Sequence, residues 1–195
     1  MKLQFKRVRD IIDDYEQNEL PTIKEELAAC ENARDYVYGK RYNKVSKTFT
    51  SPNSHQSHLF GQLEEIVNAI EDANLQAQSF DAFEDLYDAV KKIYESNGHP
   101  SAILAIYDTT LRIGYNHSPQ ILPEQYVYLY GTSKTGPLGG ATRLYGQKWI
   151  NLHFDKSNHR IKTRWFHDKF PNLPSWEIES ILCIYAGRFW RNMTY

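Results

Sequence analysis

The chain has 195 residues, 41% of them hydrophobic, enough to bury a core and too few for more than one or two domains. No run approaches the roughly 18 apolar residues of a membrane span, and the opening MKLQFKRVRD is charged where a secretion signal would be apolar, so a cytoplasmic protein without a membrane partner is expected. The formal net charge of -1 conceals an asymmetry, with 12 Lys and Arg against 18 Asp and Glu in residues 1–99 but 11 against 6 in residues 100–195.

The first residues repeat apolar side chains at helical spacing: Leu3, Phe5, Val8, Ile11, Ile12 and Tyr15. Pro21 and Thr22 restart a helix that carries Ile23, Leu27, Cys30 and Val37. From 39 to 58 the chain turns polar and rich in turn formers, without a sustained period, and reads as a long surface loop. Helical patterning resumes with Leu59, Leu63, Ile66, Val67 and Ile70, then with Phe83, Leu86, Tyr87, Val90, Ile93 and Tyr94. Pro100 opens a further helix, largely apolar from Ala102 to Ile113.

Beyond Pro123 the character changes. QYVYLYG alternates and is rich in Val and Tyr, which predicts a strand near 125–130; KWINLHF predicts a second near 148–154. A glycine-rich loop, GTSKTGPLGG, lies between them. The last element is a helix from Leu173, with Ser175 as its cap. The expectation is a mainly α protein: a single domain over 1–195 with a small β element, its 1–99 half acidic and its 100–195 half basic.

The basic excess is concentrated between Gly131 and Lys169. Lys134, Arg143, Lys148, Lys156, Arg160, Lys162, Arg164 and Lys169 face only Asp155 and Asp168, and Tyr145, Trp149, Phe154, Trp165 and Phe166 are interleaved with them. Cations neutralise phosphate and rings stack on bases, so this pattern suits a nucleic-acid surface. The alternative is that the acidic and basic halves complement each other, within a monomer or across a homo-oligomer, in a protein-interaction module without chemistry.

His153, Asp155 and His159, followed by His167 and Asp168, are ligand types for zinc or manganese, but their spacing fits no metal motif. GTSKTGPLGG frees backbone amides beside Lys134, yet lacks the GxxxxGK[ST] order of a P-loop. Cys30 and Cys183 are far apart, as reduced core thiols would be. No metal or other cofactor is expected.

The segment NGHPSAILAI, residues 97–106, resembles the helix-hairpin-helix family of DNA-binding proteins, whose core GhGxxxA is matched by Gly98 and Ala102, with Ser96 and Asn97 in place of the first glycine and the apolar residue. That resemblance implies phosphate binding by backbone amides at Gly98. The following AIYDTTLRIGY is similar to a D-T-x-x-x-R-like run of the base-excision glycosylases that use this hairpin. It would make Asp108 a catalytic carboxylate and Arg112 a nucleic-acid contact, with Pro100 where bifunctional members carry a lysine. YDTTLRIGY with LPEQYVYLYGTSKTG also resembles a pattern of bacterial proteins without an assigned activity, over about residues 107–136. Three functions follow as expectations. The first is nucleic-acid binding through Gly98, Arg112, Lys134, Arg143, Lys148, Arg160, Lys162 and Arg164. The others are a non-catalytic interaction module and a glycosylase-like or nucleotide-processing enzyme centred on Asp108. An i,i+4 ion pair between Asp108 and Arg112 would need no function.

Overall fold

The computed structural model describes residues 7–50 and 62–187. The expectations for Leu3, Phe5, Leu59 and the 51–58 part of the loop lie outside the described residues. Among the described residues the protein is mainly α-helical with two small antiparallel sheets, and no helix is long and apolar enough to cross a membrane. The chain divides into two compact units, residues 21–122 and residues 1–20 with 123–195. The charge asymmetry follows this division: 9 Lys and Arg against 14 Asp and Glu in residues 21–122, 14 against 10 in the rest.

The 21–122 unit is built on helices. Its first, α2 (Leu20–Ala28), follows α1 (Val8–Asp14) and a π-helical turn over Tyr15–Glu19, and it carries Pro21 in its first turn, where the missing amide costs no bond. The helix expected to continue to Val37 ends early. Asn32 caps a separate α3 (Ala33–Tyr38) by accepting from the Asp35 amide at 3.2 Å.

The expected surface loop over 39–58 contains a hairpin in its described part, β1 (Arg41–Asn43) paired with β2 (Thr48–Thr50), almost wholly exposed. Asn43 Oδ1 accepts from the amides of Val45 and Ser46, which closes the turn without any apolar signal a periodicity reading could detect. The predicted stripe of α4 (Leu63–Ala73) is buried at Leu63, Ile66, Val67 and Ile70; that of α5 (Phe83–Ser96) is buried at Phe83, Leu86, Val90 and Tyr94, with Tyr87 and Ile93 half-buried at its margins.

At the centre lies α6 (Ile103–Asn116), buried at nearly every position from Ala105 to Gly114 and packed against α3 and α5. It begins three residues after Pro100, which sits in the preceding turn. Gly114 is required by packing: a Cβ there would stand 2.1 Å from the Ile121 carbonyl oxygen. Tyr94 and Thr109 share a hydroxyl bond of 2.9 Å inside this core, and burial pushes the Tyr94 phenol up to about 12.

In the other unit β3 (Tyr126–Tyr128) forms where the first strand was expected, but the second expected strand, 148–154, is helical. The partner of β3 is β4 (Arg160–Lys162), with Val127 opposite Ile161. Residues 147–153 instead form α8 (Gln147–His153), since Trp149 and Ile150 face inward at helical rather than alternating positions. The glycine-rich loop is also shorter than expected, because Pro137 enters the first turn of α7 (Gly136–Tyr145). Gly139 and Gly140 are therefore helical. Gly140 lets α7 lie against α9 (Ser175–Tyr185) so closely that a Cβ would meet the Leu182 carbonyl oxygen at 2.2 Å.

Ser175 begins α9 without capping it. Pro174 occupies the cap position, and the Ser175 hydroxyl bonds to the Glu124 carbonyl and to Thr163 Oγ1, each at 2.7 Å. Most of α9 is buried, including Glu177 and Glu179; Tyr130 donates to Glu179 Oε1 at 2.5 Å, and Tyr185 donates to Asp14.

Candidate nucleic-acid interface

A row of rings runs across α7, α8 and the 3-10 turn over Thr163–Phe166. Tyr145 stacks on Trp149 with centroids 4.1 Å apart and planes at 19°; Trp149 meets His153 at 4.9 Å, and His153 meets Trp165 at 4.4 Å. Trp149 and His153, four residues apart on α8, share one helical face, and the break at Gly146, φ +86°, sets Tyr145 at the end of α7 against Trp149. Beneath them, fully buried Phe166 holds Tyr145 and Trp149 edge-on at 5.5 and 5.4 Å. Each such pair contributes about 0.5–1.5 kcal/mol beyond simple burial, so the row is rigid.

A cation closes either end. Lys169 Nζ lies 5.6 Å from the Tyr145 centroid and the Arg164 guanidinium 5.1 Å from that of Trp165. Tyr145 also donates to Asp168 at 3.0 Å. The inner rings are half-buried, but Trp165 is 42% exposed and Leu152, on α8, is 79% exposed. Lys148, Lys162 and Arg164 are exposed. This surface combines open apolar area, fixed ring planes and positive charge.

Other expected cations are drawn into the fold. Arg160 lays its guanidinium on the Tyr126 ring at 3.9 Å, with Nε 4.0 Å from Asp155. Arg143 donates to the Lys134 carbonyl at 3.2 Å and thereby fastens the loop before α7, leaving the Lys134 side chain exposed.

The histidine and aspartate ligand types are likewise used locally. Asp155 accepts from the Asn158 side chain at 2.7 Å and from the amides of Asn158 and Ser157, and these bonds hold its carboxyl below the usual value. His153 is sandwiched between Trp149 and Trp165, and His159 lies 6.1 Å from Phe154. Among the described residues no group of three His, Cys, Asp or Glu is placed to hold a metal ion.

Gly98, Asp108 and Arg112 belong to the 21–122 unit. Gly98, at φ +84°, donates its amide to the Glu95 carbonyl, and His99 donates to that of Tyr94; the turn thus caps the C-terminus of α5. Arg112 is 6% exposed, and its guanidinium reaches Asp108 Oδ2 at 3.5 Å and the Tyr36 carbonyl at 3.4 Å. Gly39 presses against it so closely that a Cβ would stand 2.8 Å from Cζ. Glu26, which accepts from the Tyr42 amide at 2.9 Å, completes this polar core. Burial raises its carboxyl above the usual value, and Arg112 acts in the opposite direction. Arg112 is thus enclosed, and its charge is spent on Asp108, Glu26 and a backbone carbonyl.

Sequence patterning alone does not single out the ring row, although Tyr145, Trp149 and Trp165 stand among the basic residues. Its signal is the four-residue spacing, concealed by reading 148–154 as a strand. Compared with protein-family models, with curated proteins and with solved structures, the chain matches none.

Proposed function

We propose that the protein binds single-stranded nucleic acid on the ring row of the 1–20 and 123–195 unit, without sequence specificity. The observation that carries this reading is the exposed Trp165 at the end of a braced aromatic row, with Arg164 over its ring and Lys162 and Lys148 exposed on neighbouring stretches of chain. Unpaired bases stack on such rings whatever their identity, and the cations track the backbone. Arg112 lies outside this role because it is enclosed, and Gly98 because its amide serves as a cap. A catalytic role for Asp108 has less support, since its side chain is 13% exposed and turned to Arg112.

Fluorescence anisotropy with a labelled single-stranded oligonucleotide tests the reading. Trp165→Ala is expected to weaken binding about 5- to 150-fold, the equivalent of 1–3 kcal/mol for one stacked base. Lys162→Ala with Arg164→Ala should reduce the slope of log K against log salt by about 1.4, at roughly 0.7 per phosphate contact. Binding that is absent, or indifferent to salt and to Trp165, would overturn it.

A further inference from the structure

A cavity of about 240 Å³ opens in the 21–122 unit between the start of α3, the end of α4 and the 3-10 turn over Leu75–Ala77. It has room for about eight waters at roughly 30 Å³ each. Its inner wall is apolar: Tyr36, Ile70 and Leu75 are buried there, and Ile113 of α6 lines it from the core. Gln76 is fixed beside them by donating to the Ile113 carbonyl at 3.0 Å. Two carboxylates stand at the rim, Glu31 and Glu71, both exposed and neither in an ion pair among the described residues. Arg34 and Lys40, the cations of this stretch of chain, are committed to Glu64 and Asp35 at 2.9 and 3.2 Å, and among the described residues no Lys, Arg or His lines the cavity. The end of α4 adds to the negative field. A helix C-terminus carries the negative pole of the backbone dipole and favours a cation. The last turn of α4 instead holds Glu71 and Asp72 and no basic residue, and Asn74 ends it at φ +46° with its amide turned back to the Glu71 carbonyl at 3.0 Å. The opposite pole, at the start of α3, is answered within the chain: Asn32 accepts the Asp35 amide, and Asp35 lies in the first turn.

We infer that this cavity is a binding site for a small organic ammonium ion with an apolar body, an amine of the alkyl or arylalkyl class. The ammonium group meets Glu31, Glu71 and the end of α4, where its three donors find acceptors. The apolar body displaces water from Tyr36, Ile70, Leu75 and Ile113. Other occupants fit less well. An inorganic cation uses none of the apolar wall, a neutral molecule leaves both carboxylates without a counter-charge, and an anion is repelled by them. A helix end that carries acids in place of bases gives up stability in the free protein, and a bound cation restores it. The cavity lies in the other unit from the ring row and shares no residue with it, so it stands apart from nucleic-acid binding.

Titration of the full chain with phenethylammonium, followed by amide NMR, tests the site, with phenethyl alcohol and phenylacetate as neutral and anionic counterparts of similar size. The ammonium at millimolar concentration should shift the amides of Asn32, Glu71, Gln76 and Ile113, and the counterparts should bind more weakly. Glu31→Gln/Glu71→Gln should weaken ammonium binding about 2- to 30-fold, the effect of two partly solvated charge pairs. Asp72→Asn, on the same turn but outside the cavity, should leave it nearly unchanged. Glu71→Lys supplies the missing cation from the chain itself, and should raise the denaturation midpoint while removing binding. Circular dichroism checks each fold, and Glu31→Gln alone repeats the comparison if the double variant is disturbed. Absence of ammonium binding, or alcohol binding of equal strength, overturns the site. Equal losses from Asp72→Asn and the double variant overturn it too, because they reduce it to a diffuse acidic surface.

Discussion

Replacing Arg112 with Met removes a buried cation while keeping most of its stem. The guanidinium is 6% exposed and lies between Asp108, the Tyr36 carbonyl and the field of Glu26. Breaking a buried pair by removing one partner costs about 3–5 kcal/mol. Here the two contacts are long, 3.5 and 3.4 Å, and Asp108 keeps some solvent, which places the expected loss nearer 2–3 kcal/mol. For a chain of this length that is a fall in Tm of about 4–12 °C. Asp108→Asn, which retains an acceptor, should cost about 1 kcal/mol. The double variant should lose less than the sum of the two, by about 1 kcal/mol, because the second change no longer orphans a charge. Arg112 also lowers the Glu26 carboxyl, so its removal pushes that group further up, and the deficit relative to wild type should be smaller at acid pH than at neutrality. Thermal melts of the four proteins at two pH values provide the measurement. Strictly additive losses, or an Arg112→Met protein that melts within about 1 °C of wild type, would refute the description of this core.

Gly140→Ala gains helix propensity of about 1 kcal/mol but drives a Cβ into the Leu182 carbonyl at 2.2 Å, so a net loss of about 1–3 kcal/mol is expected in chemical denaturation; a more stable protein would contradict the α7–α9 contact. Glu26→Gln preserves an acceptor for the Tyr42 amide. Because burial raises this carboxyl, the folded chain takes up its proton before the unfolded chain does. Stability from this group is therefore complete below the ordinary value of 4.5 and lost as pH rises through the raised one. The variant should flatten that fall in denaturation midpoints measured from about pH 4 to 7. Cys30 is fully buried and its thiol is pushed up to about 11, so a thiol reagent at pH 8 should label it only upon unfolding; rapid labelling of Cys30 in the native protein, located by mass spectrometry, would show that the α2–α3 region opens.

Helices with a single apolar stripe were legible from sequence. Leu63, Ile66, Val67 and Ile70 recur at helical spacing and are buried together, as are Phe83, Leu86, Val90 and Tyr94. The central position of α6 was legible too, because its apolar run has few interruptions. Elements governed by backbone geometry were not. The Asn43 turn and the Asn32 cap each rest on one side-chain oxygen, and a stripe search carries no signal for either. GTSKTGPLGG was read as a loop because glycine is a poor helix former, yet Gly140 is kept in α7 by the approach of α9, a tertiary demand that outweighs local propensity.

The basic aromatic segment was visible as composition, but its geometry depended on a secondary structure that short apolar runs leave ambiguous. KWINLHF alternates well enough to be read as a strand, and a strand would set Trp149 and His153 on one face but about 13 Å apart, too far for their rings to meet. The helix brings them to about one turn, and the bend at Gly146 sets Tyr145 against Trp149. Folding alone does not require the result, for Trp165 and Leu152 leave apolar area in water, where each square ångström costs about 25 cal/mol relative to burial. Tyr145 and Trp149 are nevertheless held over Phe166, His153 and Trp165 continue the row, and Lys169 and Arg164 cap its ends. A rigid apolar surface with cations at its margins recovers that cost when a base covers it. In the proposed function the exposure of Trp165 serves base stacking, and Trp165→Ala should weaken binding about 5- to 150-fold while costing about 1–2 kcal/mol of stability through the lost His153 and Arg164 contacts.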